Sequence, residues 1–96
     1  MIDLDTATRQ CIRRTLAEYA PGTRGVLVGS RANGPAKRYA DIDLLILDDR
    51  PLSTSETAAL RSAFEESDIP CKVDIMLASE LTPVFRRALM QHYARI

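Results

Sequence analysis

Two short apolar segments, one followed by a Gly-Ser turn and the other beginning at two acids, constrain the fold of this chain more than any other feature. Residues 25–28 (Gly-Val-Leu-Val) run into a Gly-Ser turn at positions 29–30, and residues 42–47 (Ile-Asp-Leu-Leu-Ile-Leu) begin among two acids, Asp41 and Asp43. Apolar runs of this length bounded by turn residues predict β-strands. In the later part of the second segment both alternating positions are apolar, which predicts a central strand covered on both faces.

The two acids predict a site for a hard cation. Residues i and i+2 of a strand point to the same face, so we expect Asp41 and Asp43 to project side by side. Two carboxylates repel each other unless a cation lies between them, and oxygen-only ligands favour Mg²⁺ together with water and substrate phosphates. Gly29 permits close approach of a phosphate, and Ser30 offers a hydroxyl and an amide. Each part alone also fits an ordinary turn or a solvated strand end, but together they indicate phosphoryl or nucleotidyl transfer.

The combination resembles a known signature. Gly29-Ser30, the Asp41-x-Asp43 pair and the apolar run that follows are similar to the motif of the minimal nucleotidyltransferases of the DNA polymerase β superfamily. The resemblance spans residues 25–77, over half of the chain. One position departs from the pattern, because the residue before the first acid is usually Ser or Thr and here it is Ala40. The missing hydroxyl affects at most a contact to phosphate or to the loop, since it is not a metal ligand.

The resemblance implies both a fold and a third acid. The fold is an α/β (α+β) domain with a small mixed sheet of three to four strands, helices packed on one face and the acidic site open on the other. The third acid lies on a neighbouring strand in this family, and Asp74, within the predicted strand 72–77, is the candidate that lies mid-strand. Its implied role is to join the metal cluster and to accept the proton of the attacking hydroxyl as general base. The strand pattern alone also fits a solvent-facing Asp74 without a chemical role.

The implied chemistry is transfer of a nucleotide, AMP from ATP, to a hydroxyl with release of pyrophosphate, using two Mg²⁺ ions. The residues implied to be catalytic and to bind metal are three acids: Asp41, Asp43 and Asp74. The residues implied to bind the nucleotide follow the first strand: Gly29, Ser30 and Arg31. Lys37 and Arg38, in the loop that joins the two halves of the motif, are either solubilising loop residues or further cations for the phosphates.

Three helices are predicted around these strands. The first begins at Asp5 or Thr6, and the second follows a capping box at residues 53–56. The third begins at Thr82 with a proline in its first turn. Its predicted apolar side consists of Phe85, Leu89 and Tyr93.

Size and charge limit the further interpretation. A chain of 96 residues predicts one domain, 1–96, without room for a separate substrate domain. Thirteen basic and thirteen acidic residues leave zero formal net charge, so no global field attracts nucleic acid or a membrane. The sequence contains neither a signal peptide nor an apolar run of membrane-spanning length, and Cys11 and Cys71 lack metal-ligand spacing. We therefore expect a cytoplasmic protein with free thiols.

The acceptor is predicted to be presented by another protein, because so small a domain has little surface for an acceptor pocket. The resemblance implies an antitoxin whose partner is a helical HEPN-type ribonuclease toxin, since some family members modify a tyrosine of such a toxin with AMP. The alternative is a non-catalytic module that neutralises the partner by contact. Direct nucleic-acid polymerisation is disfavoured, because no basic strip with aromatic residues is evident. The sequence fits a monomer and a homo-oligomer equally well.

Overall fold

The computed structural model of the chain describes residues 4–32, 34, 40–47 and 50–96. The helices in this part of the chain are α1 (Thr6–Tyr19), α2 (Thr54–Glu65) and α3 (Pro83–Leu89). The strands are β1 (Arg24–Val28), β2 (Ile42–Leu47), β3 (Val73–Leu77) and β4 (Ala94–Arg95). No helix within these ranges combines the length and the apolar character that crossing a membrane requires.

The four strands form one mixed sheet in the order β3-β2-β1-β4. β1 runs antiparallel to β2 and β4, whereas β2 runs parallel to β3. β2 has a neighbouring strand on each side and is covered on both faces. Its residues Leu44, Leu45 and Ile46 are therefore fully buried. The predicted small α+β fold and its central strand are therefore confirmed. β4 has two residues, which is too short for a hydrophobic pattern to predict.

The larger part of the core lies between the sheet and the two long helices. α1 contributes Ile12 and Leu16, α2 contributes Leu60 and Phe64, and none of the four is more than 8% exposed. Burial of each such side chain contributes about 1.5–3 kcal/mol, so this layer strongly favours one strand register. The strand residues that pack against the helices alternate along each strand: Leu27, Ile42, Leu44, Ile46, Ile75 and Leu77.

The opposite face of the sheet is covered less completely. Its buried residues form a smaller cluster: Val26, Val28, Leu45 and Ala78. Leu89 and Met90, at the end of α3, pack against this cluster. The predicted apolar side of the last helix is otherwise exposed, with Phe85 at 49% and Tyr93 at 44%. The prediction that the last helix includes Tyr93 was wrong, because α3 ends at Leu89.

Both long helices begin at predicted caps. The Asp5 carboxylate accepts a hydrogen bond from the Thr8 amide at 2.7 Å. In α2 the Glu56 amide donates to Ser53 Oγ at 3.0 Å and the Ser53 amide donates to Glu56 Oε1 at 3.1 Å, which confirms the capping box. Arg50 adds two bonds to the Glu56 carboxylate at 2.8 and 3.2 Å. These contacts fix the start of α2 against the chain that leaves β2.

Candidate active site

Three carboxylates lie where β2 and β3 begin. Asp43 of β2 is paired in register with Asp74 of β3, so the two side chains leave the same face of strands about 4.8 Å apart. Asp41 directly precedes β2 and is exposed. The structure thus brings the three predicted acids to one corner of the sheet, on the face that the long helices do not cover.

The electrostatics of this corner favour a cation. Burial raises the pKa of the half-buried Asp43 above its ordinary value, and the neighbouring charges of Asp74 and Asp41 raise it further. Lys72 supplies one positive charge, since its Nζ lies 3.2 Å from Asp74 Oδ1. The bond to Asp74, the charge of Asp74 and then that of Asp41 raise the pKa of Lys72, which keeps the ammonium protonated. The sequence interpretation missed Lys72, although the Lys-x-Asp spacing in an extended segment indicates a shared face.

Gly29 lies directly against Asp43. Its φ is +76°, in the left-handed region that favours glycine. A Cβ at position 29 would overlap Asp43 Oδ2 and would lie only 3.3 Å from Asp43 Cγ. The absence of a side chain therefore leaves room for the Asp43 carboxylate and for a group bound beside it. Ser30 follows in the 3₁₀ turn Gly29–Arg31 and is exposed, so its hydroxyl is accessible from solvent.

Arg31 points into the protein and is only 8% exposed. Its Nε donates to the carbonyl oxygen of Ala40 at 3.0 Å, and its Nη2 lies 3.4 Å from Sγ of Cys71. The guanidinium therefore connects the 3₁₀ turn with the residues that precede β2 and β3. Neutralisation of the triphosphate by Arg31 stays a prediction, and no sequence pattern indicated the contacts to Ala40 and Cys71. The predicted cations Lys37 and Arg38 lie outside the described residues.

Ala40 is held through its backbone. The carbonyl oxygen that accepts the Arg31 hydrogen bond is present in every residue type, so this contact does not depend on the missing Ser or Thr hydroxyl. The departure from the family motif therefore leaves the anchoring of the chain before Asp41 intact.

The donor set fits a hard divalent cation. Among the described residues, no three His, Cys, Asp or Glu side chains are arranged so that they could hold a metal ion as they stand. Asp41, Asp43 and Asp74 nevertheless supply only carboxylate oxygens, which Mg²⁺ prefers. Burial first, and then repulsion by Asp74 and Asp41, raises the pKa of Asp43, and a bound cation relieves that repulsion. These three residues are the ones that would hold the ion.

A small mixed sheet with acids at the start of two neighbouring strands and a Gly-Ser turn beside them defines a nucleotidyltransferase. The chain belongs to the nucleotidyltransferase domain family, which matches residues 10–96. It is 30% identical over 95 residues to the Haemophilus influenzae protein described as "Probable protein adenylyltransferase MntA", covering 99% of this chain and 83% of that protein. It is also similar to a solved structure described as "putative minimal nucleotidyltransferase", with a TM-score of 0.76, 26% identity and coverage of 94% of this chain and 90% of that one.

Proposed function

We propose that this nucleotidyltransferase is Mg²⁺-dependent and moves AMP from ATP to a hydroxyl of a partner protein. The observation that carries the proposal is the in-register pairing of Asp43 with Asp74, with Gly29 packed against the Asp43 carboxylate. Similarity to a relative described as a protein adenylyltransferase supports both the nucleotide and the class of acceptor.

The residues divide into two groups by role. Asp41, Asp43 and Asp74 hold the metal, which when bound stabilises the charge on the attacking and leaving oxygens of an in-line displacement. Gly29 and Ser30 seat the triphosphate, because the glycine has no side chain to obstruct a phosphate and the serine exposes a hydroxyl beside it.

In the proposed reaction the acceptor oxygen attacks the α-phosphorus of ATP. The bond between that phosphorus and the oxygen bridging to the β-phosphate breaks, and pyrophosphate leaves. Asp74 accepts the proton of the acceptor hydroxyl as general base. Support for this role comes from its position on the same face as Asp43, on the neighbouring strand.

The partner in this proposal is a helical HEPN-type toxin, with this protein as its cytoplasmic antitoxin. The carboxylates lie on the less covered face of the sheet, where a second folded protein can reach them. Zero formal net charge also favours a protein acceptor over nucleic acid, because binding to a phosphate backbone depends on basic residues.

The proposal expects the protein encoded beside this one to be of the HEPN type. The test is to incubate that protein with ATP, Mg²⁺ and either the wild type or Asp41→Asn. The proposal requires an AMP adduct on the partner, measured by intact mass, with the wild type and its absence with the variant. If the toxin is neutralised equally by the wild type and by the Asp41→Asn, Asp43→Asn double variant without any mass change, inhibition is by contact and the proposed activity is wrong for this pair.

A further inference from the structure

The outer side of β3 is an open edge of the sheet. Within the part of the chain that the structure describes, β3 pairs only with β2. The N–H and C=O of one strand residue point to the same side, and successive residues alternate. The Ile42 amide donates to the Lys72 carbonyl at 2.8 Å, so residue 72 faces β2. The backbone groups of Val73 and Ile75 consequently point outward, away from β2.

A groove of about 460 Å³ lies beside this edge, between β3 and α2. It continues to Asp74, so it adjoins the carboxylate cluster. Arg61 reaches over it from α2, with Nη2 at 3.5 Å from the Ile75 carbonyl oxygen, the limit of a hydrogen bond. The lining is mixed: Phe64, Ile69, Val73 and Ile75 are apolar, whereas Arg61, Glu65, Lys72 and Asp74 are charged.

We infer that the acceptor hydroxyl is carried by an extended segment of the partner protein, which adds to the outer edge of β3 as a further strand. This inference rests on the function proposed above. Strand addition satisfies exposed backbone groups through main-chain hydrogen bonds, and pockets for alternate side chains supply specificity. The outward N–H and C=O of Val73 and the outward N–H of Ile75 provide the first, and the groove provides the second. The Ile75 carbonyl oxygen already accepts the hydrogen bond from Arg61.

The register of such a segment determines its chemistry. A residue opposite Asp74 lies on the carboxylate face of the sheet, with its Cβ about 4.5–5.5 Å from that of Asp74. Its two neighbours point to the other face, where Phe64 and Ile69 line the groove. The acceptor is therefore a hydroxyl-bearing residue whose two neighbouring side chains enter the groove.

Amide hydrogen exchange tests this geometry residue by residue. When the proposed HEPN-type partner is bound, exchange at the amides of Val73 and Ile75 should slow by about tenfold or more. The amide of Val84, in the first turn of α3, also lacks an intrahelical partner and serves as the control. Its exchange should not change.

Substitutions at the groove test the same contact kinetically. Val73→Pro removes an outward N–H without removing a hydrogen bond to β2, because proline is tolerated where a strand N–H faces away from the ladder. Ile69→Glu is a second variant, since it replaces an apolar side chain of the groove with a charged one at a position outside the strand. Each should raise KM for the partner by about tenfold and leave KM for ATP within about twofold. Val84→Asp, on α3, is the matched control and should change neither.

The outcomes separate this inference from the proposed function. Protection of the Val73 and Ile75 amides without AMP transfer supports the docking and overturns the proposed activity. Transfer without that protection, or with an unchanged KM in both groove variants, overturns the docking and leaves the activity standing. If the wild type does not bind the partner at all, both are wrong.

Discussion

Gly29 and Asp43 face each other so closely across the end of β1 and the start of β2 that a methyl group on Gly29 would overlap the Asp43 carboxylate. The glycine is also required by its backbone, since φ is +76°. The Gly-Ser turn and the Asp-x-Asp pair are therefore one structural unit, in which the first permits the second to adopt its position.

Gly29→Ala should lose Mg²⁺–ATP binding as well as stability. Gly22→Ala is the matched control, because Gly22 has a similar φ of +82° but a Cβ there would meet only Arg50 Nε at 3.8 Å. Both variants should lose about 1–2 kcal/mol of unfolding free energy from the left-handed backbone. Calorimetric titration should show weakened nucleotide binding for Gly29→Ala alone. Equal binding by the two variants would contradict the proposed contact.

Asp43→Asn should make the Tm of the protein independent of added Mg²⁺ and ATP. Without ligand, the substitution removes a carboxylate that burial and two neighbouring acids disfavour, so Tm should stay the same or rise. Addition of Mg²⁺ and ATP should raise Tm of the wild type through mass action but not that of the variant. Asp68→Asn, at an exposed acid outside the site, should behave like the wild type. A ligand-induced shift retained in Asp43→Asn would argue against the metal site.

Asp74→Asn should separate nucleotide binding from transfer. A general base contributes about 10²–10⁴-fold to rate, so kcat for AMP transfer should fall within that range, whereas much of the ATP affinity should remain. Single-turnover transfer to the partner measures the first quantity and calorimetry the second. Transfer at the wild-type rate would make Asp74 a surface acid, and loss of ATP binding would make it mainly a metal ligand.

Sequence patterns predicted the caps, strands and strand faces that depend on residues close to one another in the sequence. The capping box at Ser53, the central strand β2 and the shared face of Val73, Ile75 and Leu77 follow from spacing alone, and the structure has each of them. Asp74 was assigned to the site by family resemblance, because spacing alone also fitted a solvent-facing acid.

Long-range contacts could not be predicted in the same way. The bonds from Arg31 to Ala40 and Cys71 connect residues far apart in sequence, and a buried arginine has no periodicity. The exposure of Tyr93 depends on where α3 ends, which apolar spacing does not determine. The open edge of β3 depends on the strand order.

Stability should fall in acid partly through Glu56. Its hydrogen bonds to Arg50 first, and then to the Ser53 amide, lower the pKa of its carboxyl from 4.5 to about 2. Because the folded-state pKa is the lower one, this contribution to stability is present above pH 4.5 and is lost as pH falls towards about 2. Glu56→Gln should therefore unfold at a lower temperature than the wild type at pH 6, and the difference should shrink by pH 2. A difference in Tm that is independent of pH would contradict this linkage.

The contacts of Arg31 predict a positioning role for it, as an alternative to the neutralisation of the triphosphate predicted from the sequence. Arg31→Lys keeps the charge but loses the planar fork that reaches Ala40 and Cys71 together, and Arg31→Met loses both charge and donors. Hydrogen bonds to a charged group contribute about 1.5–3 kcal/mol, so both variants should lower the unfolding free energy and weaken Mg²⁺–ATP binding by a similar factor of about ten or more. Arg87→Met, on exposed α3, is the control. If Arg31→Lys instead retains the wild-type affinity for ATP while Arg31→Met loses it, charge at this position is what matters and Arg31 neutralises the triphosphate directly.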